Sequence, residues 1–232
     1  MIIGGLQKNT LVDFPGKLAC TVFISGCNFS CPWCYSAELV LPEKIRNHPV
    51  IPEDEVFAFL KERVGLLEGV VICGGEPTRN SDLPEFIKKI KDLGYLVKLD
   101  TNGTNPTMLA SLIDNKLIDY VAMDIKTSKE KYPSLFAEKV KIADIQKSID
   151  ILSKNKIGYE FRTTVVPTIH EREDIISIAN WIKGAPRYYL QRFRPEKTID
   201  PAFEKIRSYP DEWFQDVLNQ ISPLFKICQV RG

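Results

Sequence analysis

Six runs of β-branched, leucine and aromatic residues recur along the chain, and stretches with helix-period apolar spacing lie between them. Consecutive parallel strands need a crossover long enough to hold a helix, so this alternation predicts a parallel α/β sheet. The spacing places strands at 19–25, 69–73, 95–99, 120–125, 159–166 and 188–193. It places helices at 53–64, from Ser81 or Asp82 to 93, and at 106–114. Further helices are expected around Ile142, Ile145, Ile149 and Leu152 (closed by Asn155 and Gly158), at 173–183 and over 210–225. Pro52 and an acidic first turn mark one helix start, Ser81 or Asp82 caps the next, and Gly94 stops it.

The polar residues fall at the ends of these runs. The first four strands end in a cysteine loop, in Gly74-Gly75-Glu76-Pro77, in Asp100-Thr101-Asn102-Gly103, and in Asp124 with Lys126. Functional residues at the carboxyl ends of successive strands are the pattern of a β/α barrel. The expected fold is therefore α/β, a partial (β/α)6 barrel. Residues 1–195 would form the barrel with its lead-in segment, and 196–232 a helical extension packed on it.

The cysteine loop carries Cys27, Cys31 and Cys34 in the spacing C-x3-C-x2-C. Thiolate sulfur is soft and suits iron–sulfur clusters, zinc or copper(I). With no fourth cysteine nearby, a four-thiolate zinc site needs a distant donor, whereas a 4Fe–4S cluster on three ligands leaves one iron open. A structural zinc site or a set of reduced thiols without metal are the plainer alternatives. Gly74-Gly75 admits close approach to the backbone and Glu76 suits an ammonium group, but the same four residues make an ordinary turn. Asp100, Thr101 and Asn102 suit charged groups, ribose hydroxyls or a cation, and equally a helix-capping turn. Asp124 and Lys126 share a strand face, as a salt bridge or as a grip on a ligand. Each plain reading holds singly; their placement at consecutive strand ends favours a common site.

Thirty-one basic and thirty acidic residues leave a net charge of +1, which gives no support to nucleic-acid binding by bulk charge. No apolar run is long enough for a membrane span, and the first residues lack a signal-peptide pattern. Six cysteines, three of them scattered, are too sparse for a disulfide scaffold and suit a reducing cytoplasm. Cytoplasmic location without membrane or nucleic-acid partners is the expectation.

With Trp33 before the last cysteine, the Cys27-Cys31-Cys34 loop resembles the signature of the radical S-adenosylmethionine enzymes, and Gly74-Gly75-Glu76-Pro77 resembles their second motif. The resemblance implies a 4Fe–4S cluster on the three cysteines, with S-adenosylmethionine on the fourth iron. It further implies that Gly74, Gly75, Glu76 and Pro77 hold the methionine amino group and that Trp33 lies near the adenine. One electron then cleaves a carbon–sulfur bond to give a 5′-deoxyadenosyl radical. The segment 3–17, running into the loop, resembles the activating proteins of anaerobic ribonucleoside-triphosphate reductase and of pyruvate formate-lyase, which install a glycyl radical on a partner. This likeness implies a catalytic Asp13 at the mouth of the site. It implies cofactor contacts by Asp100, Thr101, Asn102, Asp124, Lys126 and Arg162, some sharing a monovalent cation. A flavodoxin or ferredoxin-type electron donor is the implied partner besides the glycyl-radical enzyme.

Two other readings stand beside it: a radical enzyme for a small molecule, such as a 7-carboxy-7-deazaguanine synthase, and a non-catalytic metal-binding module. Cys20 and Cys73 read as core residues, and Cys228 is unassigned. His48 and His170 read as surface residues, Trp181 and Trp213 as packing, and Arg187, Arg192 and Arg194 as a solvated basic cluster.

Overall fold

A computed structural model of the chain describes residues 1–136, 140–154 and 157–232. Eight strands form one open sheet in sequence order: β1 (Ile3–Thr10), β2 (Ala19–Ile24), β3 (Gly69–Gly74), β4 (Leu96–Thr101), β5 (Tyr120–Asp124), β6 (Gly158–Val165), β7 (Arg187–Arg192) and β8 (Ile227–Arg231). β1 pairs antiparallel with β2. The pairs β2·β3, β3·β4, β6·β7 and β7·β8 are parallel. The six expected strands are β2 to β7, so the open α/β sheet agrees with the expected six-unit partial barrel. β1 and β8 extend it by one strand on each side. Among the described residues, no helix is long and apolar enough to cross a membrane.

Contacts divide the chain into two compact units, parting within β5. The first contains β1 to β4, with α1 (Ala37–Val40), α2 (Pro42–Ile45), α3 (Glu53–Glu62), α4 (Leu83–Asp92) and α5 (Pro106–Asp114). α1 and α2 are single turns that follow the cysteine loop. Val56, Phe59 and Leu60 of α3 are buried, as are Leu83, Phe86, Ile87 and Ile90 of α4. Tyr95, just before β4, donates from Oη to the Leu60 carbonyl of α3 at 2.7 Å. Asp82 stands at the N-cap of α4 without a side-chain cap bond.

The second unit contains β6 to β8, with α6 (Tyr132–Phe136), α7 (Ile142–Lys154), α8 (Arg172–Trp181) and α9 (Asp211–Ile221). α8 begins with a capping box between Glu171 and Asp174. Asn155, expected to help close α7, lies outside the described residues. The segment after 195 holds both α9 and β8.

Strand alternation explains the burial. One side of the strands is apolar and sealed: Cys20, Val22, Ile24, Val70, Ile72, Val97 and Leu99 in the first unit, and Phe161, Thr163, Val165, Tyr188 and Leu190 in the second. On that side in the second unit, Tyr188 Oη donates to Thr163 Oγ1 at 2.9 Å, and Thr163 Oγ1 donates in turn to the Ile125 carbonyl at 2.8 Å. The opposite side keeps partial exposure at Phe23, Cys73, Asp100, Asp124, Arg162, Thr164 and Gln191, and it carries the polar chemistry.

Candidate functional site

In the first unit, the end of β3 folds back on the end of β2. Gly75 N–H donates to the Ile24 carbonyl at 2.7 Å and Glu76 N–H to the Gly26 carbonyl at 2.8 Å. A Cβ on Gly74 would meet Ile24 O at 2.4 Å, and one on Gly75 would meet Gly26 O at 2.1 Å. Gly74 also has φ +114°, so both glycines are required by the packing of their own chain.

This packing buries Glu76. Its Oε1 accepts from Thr78 N–H at 3.2 Å, Thr78 Oγ1 at 2.5 Å and Thr101 Oγ1 at 2.7 Å. Pro77 opens a 3-10 turn capped by that carboxylate. Next to Thr101, Asp100 pairs with the ammonium of Lys98, a fully buried residue two positions earlier on the same strand face. Asp13 Oδ2 accepts from Thr21 Oγ1 of β2 at 2.8 Å. Cys27 Sγ accepts from Phe29 N–H at 3.3 Å.

A cap does not explain the third strand end. The N-cap of α5 is Asn105, whose Oδ1 accepts from Met108 N–H at 3.1 Å. Asp100 and Thr101 are thus engaged elsewhere. Asn102, assigned to the second unit, accepts from Thr104 N–H and Oγ1 at 3.1 and 2.6 Å.

The second unit carries Cys31, Trp33 and Cys34. Cys34 N–H donates to the Cys31 carbonyl at 2.9 Å, closing a turn. The carbonyls of Pro32 and Cys34 accept from Asp200 N–H at 2.9 Å and Ile199 N–H at 3.0 Å, which pins the segment on both sides of Trp33. Trp33 is buried among Phe136, His170 and Phe203, with ring centroids 6.2 to 6.4 Å away.

Beside this segment lie Asp124, Lys126 and Arg162. Arg162 Nε donates to Asp124 Oδ1 at 2.8 Å, and Lys126 Nζ to Oδ2 at 2.9 Å. Burial pushes the Asp124 carboxyl up, but the Arg162 and Lys126 charges outweigh it and hold the pKa well below the usual carboxylate range. Burial pulls the Lys126 ammonium down; Asp124, Cys31 and Cys34 outweigh it and hold the pKa above its ordinary value. The backbone of Lys126 is fixed on both sides. Its N–H donates to Tyr132 Oη at 2.8 Å, and its carbonyl lies 2.9 Å from His170 Nε2. Val166 N–H donates to His170 Nδ1 at 3.0 Å, so Nε2 carries the proton and donates to Lys126.

His170 is therefore not a surface residue but a fully buried one. Sequence reading missed it because a histidine before a helix has no period to place it. Lys98 was missed as well; the signal that could have found it is a lysine inside an apolar run, two residues from Asp100.

Among the described residues, no three His, Cys, Asp or Glu side chains form a site for a single metal ion. The loop offers three soft thiolates, an N–H to one sulfur and a lysine charge acting with the other two. Hydrogen bonds and charge at sulfur are the means by which proteins support iron–sulfur clusters, so this donor set fits one.

A family model described as the radical SAM superfamily matches residues 21–182. A protein of Methanocaldococcus jannaschii, provisionally named a glycyl-radical enzyme activating enzyme, is 36% identical over 211 residues, covering 88% of this chain and 85% of that protein. The 7-carboxy-7-deazaguanine synthase of Thermococcus kodakarensis is 27% identical over 84% of this chain and 80% of its own length. Among solved structures, Streptococcus suis SuiB bound to its precursor peptide SuiA superposes with TM-score 0.66 at 17% identity, over 91% of this chain. The chain spans about half of that SuiB chain, 48% of its length.

Proposed function

The chain belongs to the radical SAM superfamily, and from that premise we propose that it acts on a protein, taking a hydrogen atom from a glycine of a glycyl-radical enzyme. It is a radical SAM enzyme, and its cofactors are a 4Fe–4S cluster and S-adenosylmethionine. When bound, they would supply one-electron reductive cleavage of a carbon–sulfur bond.

The chain's own groups take these roles in the proposal. Cys27, Cys31 and Cys34 hold the cluster, and Trp33 braces the turn between the last two. Glu76, oriented by three donors, holds the methionine ammonium at Gly74-Gly75 and Pro77. Asp100 and Thr101, with Asn102, Asp124, Lys126 and Arg162, orient the rest of the cofactor. The Lys98 ammonium beside Asp100 supplies a positive charge where a monovalent cation was expected. Asp13 serves the substrate side. Electrons come from a flavodoxin or ferredoxin-type donor.

The observation that carries the protein-substrate reading is the 36% identity to the M. jannaschii relative across nearly the full length of both chains. The synthase likeness is weaker at comparable coverage, which makes the small-molecule reading second. The test is anaerobic. Reconstituted protein, S-adenosylmethionine, dithionite and a candidate anaerobic ribonucleotide reductase are mixed, with EPR and 5′-deoxyadenosine as readouts. A glycyl doublet that requires this protein supports the reading. Cleavage without a doublet, across the glycyl-radical enzymes of the same genome, overturns it in favour of a small molecule.

A further inference from the structure

Strand register fixes which side chains share a face of β6, β7 and β8. Thr164 lies opposite Gln191, and Gln191 opposite Arg231; in the adjacent row Arg162 lies opposite Tyr189, and Tyr189 opposite Gln229. By alternation, Glu160 and Arg187 belong to the same face, opposite the sealed one. Through Arg162 this polar face is continuous with Asp124 and Lys126. It gathers four cations (Lys126, Arg162, Arg187, Arg231) against two carboxylates (Asp124, Glu160).

Arg231 is held in place before any ligand arrives. Its Nη1 donates to Glu160 Oε1 at 3.0 Å, and its guanidinium carbon lies 3.2 Å from the centroid of the Tyr189 ring. Glu160 is 1% exposed and Tyr189 is buried, while the Arg231 side chain keeps 39% exposure. A guanidinium offers five N–H donors in a rigid fork, and a carboxylate on one edge with a ring on one plane fixes the direction of the remainder. Such an orientation lowers the ordering cost of binding a planar anion.

We propose that this face binds an oxyanion of the substrate and that Arg231 is its specificity-determining residue. The inference deepens the protein-substrate reading and rests on it in one respect: for a protein, the oxyanion is the carboxylate of an Asp or Glu in the segment that carries the target glycine. A nucleotide phosphate presents the same chemistry to the fork.

The test uses the anaerobically reconstituted holoenzyme with S-adenosylmethionine, and calorimetry with three kinds of probe. These are a glycine-centred decapeptide series with one Asp placed in turn at each flanking position, the same series with Asn, and GTP. The expected result is a preference of about tenfold for the Asp peptide over its Asn counterpart at one flanking position or more, falling with added salt. That preference is lost in Arg231→Gln and kept in part by Arg231→Lys. GTP binding that needs Arg231, without discrimination between the peptides, would support the oxyanion site while overturning the protein-substrate reading. Equal binding of the Asp and Asn peptides at every position, together with no Arg231-dependent binding of GTP, would overturn the oxyanion site and leave the activase reading to the EPR experiment. The peptide and GTP measurements on the unaltered enzyme need no variant, so a loss of fold in Arg231→Gln leaves the test intact.

Discussion

Thr101 Oγ1 donates a 2.7 Å hydrogen bond to Glu76 Oε1, the same oxygen that accepts from the Thr78 amide and hydroxyl. Three donors converging on one oxygen set the orientation of the carboxylate where β3 and β4 end. Glu76→Gln retains a carbonyl oxygen for all three and removes only the charge. In the proposed role that charge holds the methionine ammonium, so the variant should bind S-adenosylmethionine about tenfold or more weakly, with little change in thermal midpoint. Glu76→Ala should also lose about 2 kcal/mol of stability, because three donors are left without an acceptor. Equal affinity in the Gln variant and the wild type would remove Glu76 from the cofactor site.

Gly75→Ala should act through sterics alone. The added Cβ would lie 2.1 Å from the Gly26 carbonyl oxygen and 2.6 Å from its carbon, and backbone cannot swing aside. Overpacking of this kind costs about 1–3 kcal/mol, and here it also displaces the start of the cysteine loop. Lower iron per chain after reconstitution is the expected readout. Gly184→Ala is the control: it has φ +86° but no atom within 4 Å of the new Cβ, so only backbone strain is added. If both variants load iron equally, the contact with Gly26 does not matter to the loop.

Cys31→Ala should abolish cluster assembly while the chain stays folded, since the loop thiolates contribute little to the sealed side of the sheet. Cys27→Ala and Cys34→Ala should do the same. Cys20→Ala removes a fully buried thiol instead, so it should cost stability of about 1 kcal/mol and leave iron content unchanged. Iron and sulfide analysis alongside circular dichroism separates the two classes. Full iron in Cys31→Ala would end the cluster assignment.

The Lys98–Asp100 pair predicts strong coupling. Lys98 is 1% exposed and Asp100 11%, so removing either partner leaves a charge that water reaches poorly. Lys98→Met or Asp100→Asn should each cost about 3–5 kcal/mol, and the double variant much less than their sum. Urea unfolding of all four proteins measures the coupling; strictly additive losses would show the pair to be energetically idle.

Much of this was legible because it is periodic. Helix α5 falls at 106–114, as the apolar spacing and Pro106 predict, and the six central strands lie within one or two residues of their expected places. Strand ends marked by Gly74-Gly75 and Asp100-Thr101 followed from the break in that period. β8 was missed because Ile227–Arg231 is short and half-exposed at a sheet edge, where no alternation of burial needs to show. The capping role of Asn105 was hidden by the denser polar run before it. Pairings such as Arg231 with Glu160 join residues 71 apart, and only strand register brings them together.

His170 gives a pH prediction with a definite sign. Its ring is fully buried, and burial pulls its pKa down from 6.5 to about 4, with the bond to the Lys126 carbonyl opposing only part of that shift. The unfolded chain therefore binds a proton at higher pH than the folded one. The stabilising effect of keeping the ring neutral is complete above about pH 6.5 and is lost progressively as pH falls toward about 4. Over that window the wild type should lose on the order of 3 kcal/mol relative to a variant with no titrating group at this position. His170→Gln supplies one, with an amide that can still donate to Lys126. Urea midpoints at pH 7.5, 6, 5 and 4.5 should converge as acid erodes only the wild type's advantage. Parallel losses in the two proteins would show that other groups, and not the His170 ring, set the acid sensitivity of the fold.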